Sequence, residues 1–268
     1  MSVQLPTKSQ MYKKKLKTFY KLLLILSILM LGCTSLASAE KTEKEELKIL
    51  FGYRFPPFYT VTSKSDPSSS LQGAFIDLLE RFKKKYPQYN LKFKCLPRAR
   101  ISKVLREGGA DAFALSDPMF VSPELKGRFT FSLPLWSIGD HLLVRKDSPI
   151  DDSELDSLIG KRIAVLHGNR YGPLDKYFEN GMIKKHAVYS TTQILELVLK
   201  GRVDGAVCNK TTLPALIKRT GLSLDDFTII ESPLYTFNLH LLVRRNKVDF
   251  LNDFNIFLKQ EKIPEIAN

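Results

Sequence analysis

Twice in this chain a helical pattern runs into glycine, passes an aspartate and continues as a short apolar run. Leu105-x-x-Gly108-Gly109-x-Asp111 leads into residues 112–115 (AFAL), and Leu199-x-Gly201-x-x-Asp204 leads into residues 205–208 (GAVC). Glycine ends a helix well because it readily takes the left-handed backbone that satisfies the terminal carbonyls. A short apolar run bounded by turn residues suits a buried strand. Helix, turn and buried strand in this order ask for a mostly parallel sheet covered by helices. Their recurrence reads as equivalent places in two similar α/β lobes. A chain of 268 residues has room for two units of about 100–130 residues each.

The first 39 residues stand apart from that pattern. They hold six lysines, no acidic residue and the apolar run 22–31 (LLLILSILML), the layout of a secretory leader. Ten residues are too few to cross a bilayer core of roughly 30 Å as a helix. Met11 opens a complete basic n-region of its own, so Met1 and Met11 are both candidate starts. Ala37-Ser38-Ala39 before Glu40 fits ordinary signal peptidase and a soluble exported product. Met30-Leu31-Gly32-Cys33 instead resembles a lipoprotein box, with Cys33 as a lipid-anchored terminus. Methionine and leucine suit the first positions of that box poorly, so cleavage before Glu40 is the expectation. Removing six of 41 basic residues leaves a net charge of about +7 against 28 acidic ones. These charges are dispersed and carry no basic-aromatic motif, which argues against a nucleic-acid partner.

Residues 40–46 read as a charged linker and 47–51 (LKILF) as the first strand. The loop 52–58 is aromatic and stiffened by Pro56 and Pro57, and the serines of 63–70 make a solvated turn. Phe75, Leu78, Leu79, Phe82 and Tyr86 predict a helix over 71–86. A strand at 91–95 follows, then a helix opened by Leu96-Pro97 and closed at Gly108. A polar loop at 116–124 leads to Phe131-Ser132-Leu133-Pro134, whose proline keeps Leu133 extended. Residues 141–146 read as a strand crossing to the second lobe, 155–160 as a short helix and 161–166 as a strand. Ser190-x-x-Gln193 is a capping box for a helix that stops at Gly201. Residues 235–244 are a returning strand and 249–259 a final helix.

The order helix, Gly-x-Asp-Ala turn, strand, serine- and glutamate-bearing loop and Phe-Ser-x-Pro segment resembles the type II periplasmic binding proteins. More specifically, it is similar to the bacterial extracellular solute-binding protein family 3, over about residues 47–257. The resemblance implies a two-lobed α/β fold, each lobe a mostly parallel sheet flanked by helices, joined by a two-strand hinge. It assigns residues 47–137 and 240–268 to lobe 1 and 138–239 to lobe 2. It also implies a periplasmic, monomeric protein that captures a small polar solute between the lobes for an inner-membrane ABC permease. Cys95 and Cys208 then fall in different lobes, where a disulfide would obstruct opening, so two buried thiols are expected. Other roles open to the fold are a ligand-sensing partner of a membrane receptor and a dehydratase-like enzyme acting on acids such as prephenate or arogenate.

No G-x-S-x-G, P-loop or H-E-x-x-H signature occurs, and the four histidines (141, 167, 186, 240) sit at no metal-ligand spacing. Neither catalysis, nor a cofactor, nor a metal is therefore expected. Ligands of open α/β sheets sit outside the carboxyl ends of strands, which selects the loops 52–58, 115–122, 167–172 and 208–212. Tyr53 and Phe55 are candidates to clamp a ligand face, and Ser116 and Asn169 to supply hydrogen bonds. Arg170 either forks a carboxylate or stands in solvent. Arg100 matches an arginine in a proline-aromatic-x-arginine segment of the family, although Arg98 here takes the aromatic position. It faces either the cleft or a surface carboxylate. Trp136, the only tryptophan, lies at the hinge, in the core or lining the cleft.

Two departures bear on the solute. Family members that bind α-amino acids use an arginine of a Thr-Pro-Glu-Arg loop for the carboxylate and an aspartate after the second-lobe Asp-Ala strand for the ammonium. The matching positions here are Leu125 and Asn209. Each missing charged hydrogen bond is worth about 1.5–3 kcal/mol. The resemblance thus implies weak recognition of common α-amino acids and leaves Arg100 and Arg170 to favour an acidic or strongly hydrogen-bonding solute.

Overall fold

The computed structural model describes Tyr12, residues 16–21 and residues 44–266. The leader's apolar run, Cys33, the Ala37-Ser38-Ala39 site and linker residues 40–43 lie outside the described residues. Contacts divide the chain into two units, Met1–Glu43 and Lys44–Asn268, and the fold below is that of the second. Among the described residues no helix is long and apolar enough to cross a membrane.

The chain forms β1 (Glu45–Phe51), β2 (Arg54–Phe55), β3 (Tyr59–Val61), β4 (Leu71–Gln72), α1 (Ala74–Lys85), β5 (Tyr89–Cys95), α2 (Arg98–Arg106) and β6 (Ala112–Ser116). After a 3₁₀ turn come α3 (Pro123–Arg128), β7 (Phe129–Phe131), β8 (Trp136–Arg145), β9 (Arg162–Leu166), α4 (Leu174–Glu179) and β10 (Lys184–Val188). Then follow α5 (Thr191–Leu199), β11 (Gly205–Asn209), α6 (Leu213–Ile217), β12 (Phe227–Ile229), β13 (Tyr235–Arg244) and α7 (Val248–Gln260).

The large sheet runs β10-β9-β11-β8-β13-β6-β1-β5, with β12 beside β8 and β7 beside β13. Two long antiparallel strands, β8 and β13, hold its middle, paired from Trp136 with Leu239 to Asp140 with Tyr235. Beyond that stretch they part. The end of β13 pairs with β6 and β7, and the end of β8 pairs with β11 and β12. Each side then has one order: β5-β1-β6-β13-β7 on one, β10-β9-β11-β8-β12 on the other. That is the two-lobed α/β arrangement, with two strands as the only sheet connection among the described residues.

The two glycine-aspartate turns are equivalent in atomic detail. Asp111 donates its backbone N–H to Lys48 O (2.9 Å), and its carboxylate accepts the Lys48 N–H (2.9 Å). Asp204 makes the same exchange with Arg162, at 2.8 and 2.6 Å. Each aspartate thus clips the entry to the third strand of its lobe onto the first strand, at Lys48 within β1 and at Arg162 where β9 begins. Gly108 and Gly201 take the left-handed backbone (φ 79° and 63°) that ends the preceding helix.

Alternation along β1 and β9 divides the core into layers. Leu47, Ile49 and Phe51 face α1 and α7, while Leu50 faces the cluster of Ile101, Leu105, Leu125 and Phe129 under α2 and α3. In the other lobe Ile163 and Val165 face Leu174 of α4, while Ala164 faces Ile194, Leu195, Val198 and Ile217 of α5 and α6. Both sheets are therefore covered on both faces, as parallel sheets require.

Several boundaries differ from the sequence expectation. The first strand starts at Glu45 rather than Leu47, because Glu45 and Glu46 pair with Tyr89 and Asn90 and Lys247 Nζ reaches Glu45 at 2.8 Å. The helix expected from 71 starts at Ala74. Gly73 breaks it with φ 129°, and a side chain there would press within 2.5 Å of Phe58 O. Leu71 and Gln72 join β3 instead. Within the polar loop, Ser122 Oγ accepts the Leu125 N–H and caps a short helix. The crossing strand starts at Trp136, five residues before the expected His141.

Phe82 ties the last helix to this framework. It is fully buried and lies within 6 Å of the rings of Tyr86, Tyr89, Phe250, Phe254 and Phe257. Phe82→Ala should cost about 3–5 kcal/mol of unfolding free energy by urea titration. Ile256→Ala, at a 46 % exposed position of the same helix, should stay within about 0.5 kcal/mol. Equal effects from the two would contradict this packing.

A candidate ligand-binding cavity between the lobes

All four loops at the carboxyl ends of strands meet at one cavity of about 270 Å³. From the first lobe come Gly52 to Phe55 after β1, Tyr59, Arg98 at the start of α2, Leu115 and Ser116 at the end of β6, and Phe120. The second lobe contributes Asp140 of β8, Asn169 to Tyr171 after β9, and Asn209 and Thr212 after β11.

The cavity is narrowed on one side because the loop after β9 lies against the first lobe. A Cβ on Gly168 would stand 2.9 Å from Ala99 Cα, and one on Gly172 would stand 2.8 Å from Met119 Sδ. Both glycines have positive φ (85° and 53°), which disfavours side chains at both, and at Gly168 the Ala99 backbone also fills the space.

Ser116 reaches the lining through a bulge. Between its pairings with Phe113 and Ser116, β13 advances from Leu242 to His240 while β6 advances one residue more. The extra residue is absorbed by Leu115, whose φ of 54° is costly for a leucine. Asp117 fastens the following turn, accepting from Met119 N and from Asn238 N of β13, both at 2.8 Å.

Arg98 leaves α2 with its guanidinium 4.7 Å from the Phe113 ring centroid, over its face. Burial pushes its pKa down, opposed by the neighbouring Tyr59 and Tyr171 hydroxyls. Burial likewise pushes the Tyr59 hydroxyl up to about 12. Among the described residues Arg98 has no carboxylate partner. Arg170 does: its Nε lies 3.6 Å from Asp175, and its side chain is 47 % exposed.

The acidic counterpart is built across three strands. Register sets Asn209, Asp140 and Tyr235 side by side on β11, β8 and β13. Tyr235 Oη donates to Asp140 Oδ2 at 2.8 Å, and Asn209 Nδ2 donates to Asp140 Oδ1 at 3.3 Å and to Gly139 O at 2.9 Å. Burial raises the Asp140 pKa to about 6, against the lowering by those two donors. No cation stands within ion-pair distance of Asp140 among the described residues. Cys208 also lines the cavity, its thiol pushed up by burial and by the Asp140 charge. Cys95 and Cys208 are both free and buried.

The structure sorts the sequence candidates. Tyr53, Phe55, Ser116, Asn169, Arg170 and Asn209 line the cavity. Arg100 does not: two positions along α2 from Arg98, it is turned to solvent. Trp136 is packed between Phe58 and Phe75, at 5.0 and 6.3 Å, and donates its indole N–H to Pro264 O. Leu125 lies in the core beneath α2. No group of three or more His, Cys, Asp or Glu residues suited to a metal occurs among the described residues.

Arg98 and Asp140 are lining residues that sequence patterns alone do not single out. Asp140 had one signal available. It stands in phase with Trp136, Ile138, Leu142 and Val144, the inward set of β8. A carboxylate in an apolar phase is costly unless it is used.

Because its folded pKa is raised, Asp140 favours the folded state most below about pH 4, and that contribution is lost as pH rises through about 6. A carboxyl ¹³C titration should give a midpoint near 6, and stability relative to Asp140→Asn should fall by up to about 3 kcal/mol between pH 4 and 7. A midpoint near 4 would contradict the burial described.

No family model matches the sequence. YxeM of Bacillus subtilis (strain 168), named as a probable amino-acid-binding protein, is 28% identical over 209 residues, 75% of this chain and 74% of that protein. PatH of Vibrio harveyi, named as an amino-acid ABC transporter-binding protein, is 26% identical over 191 residues, covering 71% and 73%. Among solved structures, a Gly52Ala mutant of arginine-bound ArgBP from T. maritima superposes with a TM-score of 0.64 at 22% identity, over 81% of this chain and 96% of that one. The chain has the two-lobed type II periplasmic-binding-protein fold and resembles the family 3 extracellular solute-binding proteins along most of its length.

Proposed function

We propose that this chain is an exported solute-binding protein that captures a small polar solute between its lobes and delivers it to an ABC permease. The observation that carries this reading is the cavity at the junction of two similar lobes joined by two strands. Such a junction lets rigid lobes rotate about few residues. In this reading residues 47–137 with 240–268 form one lobe, 138–239 form the other, and the mature protein acts as a monomer in the periplasm without catalysing a reaction. The amino-acid-binding names of both curated relatives, and the ABC transport named for one, support it. Cleavage before Glu40 gives the soluble form; lipidation at Cys33 would give the anchored one.

Asp140 favours a second reading. A carboxyl with a pKa of about 6 lining a cavity suits a general acid. A dehydratase-like enzyme acting on a cyclic acid would use it so.

One screen separates the two. The mature chain (residues 40–268) is heated with amino acids, amines, organic acids and sugars at millimolar concentration. A ligand at a hundred times its Kd adds about 2.7 kcal/mol, which raises Tm by roughly 5–10 °C in a chain of this size. One chemical class should do so, and prephenate should survive incubation unchanged. No shift from any compound would overturn solute capture, and prephenate turnover abolished by Asp140→Asn would establish the enzyme.

A further inference from the structure

We propose that Arg98 and Asp140 are the charge-reading residues of the cavity, and that its solute carries an anionic group for the first and a cationic group for the second. This rests on the solute-binding reading above. It assigns ionic recognition to two positions other than 125 and 209, where the family resemblance puts it.

The argument starts from charge balance. Three arginines line the cavity: Arg54 is exposed to solvent, Arg170 is held by Asp175, and Arg98 is half-buried with no carboxylate partner among the described residues, while Asp140, the lining carboxylate, has no cationic partner among them. A charge shielded from water is costly when unpaired. Arg98 is braced for an outside partner: its guanidinium sits over the Phe113 ring, 4.7 Å from the centroid, which supports the charge from one side. Asp140 is braced too. Tyr235 and Asn209 each occupy one lone-pair direction of its two oxygens, which orients the carboxylate without neutralising it.

The relation of these residues to the missing charges is specific. Asn209, which stands where an aspartate would hold an ammonium, is directly across the strand pair from Asp140 and donates to it. The negative charge has thus moved one strand sideways along the same row, from β11 to β8. Leu125 is packed in the core under α2, and Arg98 opens that same helix and covers Phe113 of the same cluster. Asp140 sits on β8 of the second lobe and Arg98 on α2 of the first, so a zwitterion touching both would link the lobes electrostatically. A solute with only one charge would leave the opposite protein charge unpaired.

Calorimetric titration of residues 40–268 tests the assignment. The probes are the twenty proteinogenic L-amino acids, then the amine lacking the carboxylate and the acid lacking the amine of the tightest binder, with glucose as a neutral control. At least one amino acid should bind more tightly than either analogue by roughly ten- to a hundred-fold. Arg98→Gln and Asp140→Asn should each weaken that amino acid by a similar factor. The effects should cross: Arg98→Gln leaves binding of the amine unchanged, and Asp140→Asn leaves binding of the acid unchanged. Circular dichroism melts establish that both variants fold, and Arg100→Gln, outside the cavity, should bind as the parent does. An amino acid bound equally by parent and both folded variants would overturn the assignment. So would an analogue, or glucose, binding as well as the amino acid, with solute capture itself intact. Absence of binding by every compound of the broader screen would remove the solute reading and this assignment together.

Discussion

Five paired residues on each of two strands carry the whole arrangement. The ladder from Trp136–Leu239 to Asp140–Tyr235 is the only stretch where β8 and β13 meet. Past it each strand is committed to its own lobe, as the antiparallel member of an otherwise parallel sheet. Everything at the cavity follows from that geometry. Because the strands leave the ladder in opposite directions, the carboxyl ends of β1 and β6 face those of β9 and β11. The loops after those ends have nowhere to go but the space between. The same ladder ends at Asp140, so the structural hinge and the acidic wall of the cavity are one piece of backbone.

Charge placement follows from packing. A hydrophobic residue at 125 lets α3 close over the first lobe's core, and Leu125 is almost fully buried there. A cation is then affordable at the lip of that core only where an aromatic face supports it, which Phe113 provides for Arg98. On the opposite wall, three strands present a hydrogen-bonded row in which only the central residue is ionisable below neutral pH. Tyr171 helps from the roof. Its hydroxyl is tied to the backbone of Leu166 (2.7 and 3.2 Å), holding the ring where it senses both Arg98 and Asp140.

Much of this was legible in the amino-acid order. The returning strand at 235–244, the helix stops at Gly108 and Gly201, and the Ser190 cap on Gln193 N all stand as read, because each rests on local chemistry. The paired turns at Asp111 and Asp204 were legible for the same reason. What was not legible depends on long-range partners. Gly73 breaks its helix because Pro57 and Phe58 occupy the space beside it, sixteen and fifteen residues earlier in the chain. Leu115 adopts a strained backbone because β13 imposes a register on β6. Arg98 and Arg100 differ by two positions and by which face of α2 meets Phe113, which spacing alone does not fix. Trp136 looked equally suited to cleft and core; Phe58, Phe75 and the carbonyl of Pro264 decide for the core.

The central claim is that two lobes close over a solute held between them, and a distance across the cleft tests it most directly. Spin labels on cysteines introduced at Lys103 of α2 and Lys176 of α4, both exposed, report on opposite lobes. The native thiols are buried with raised pKa values, Cys95 at about 11, and so compete poorly for the label. Pulsed electron paramagnetic resonance should show a broad distribution without added solute. It should shift to a shorter, narrower one with the compound that most stabilises the protein, as Gly168 comes to rest on Ala99. An unchanged distribution under saturating compound would contradict the account.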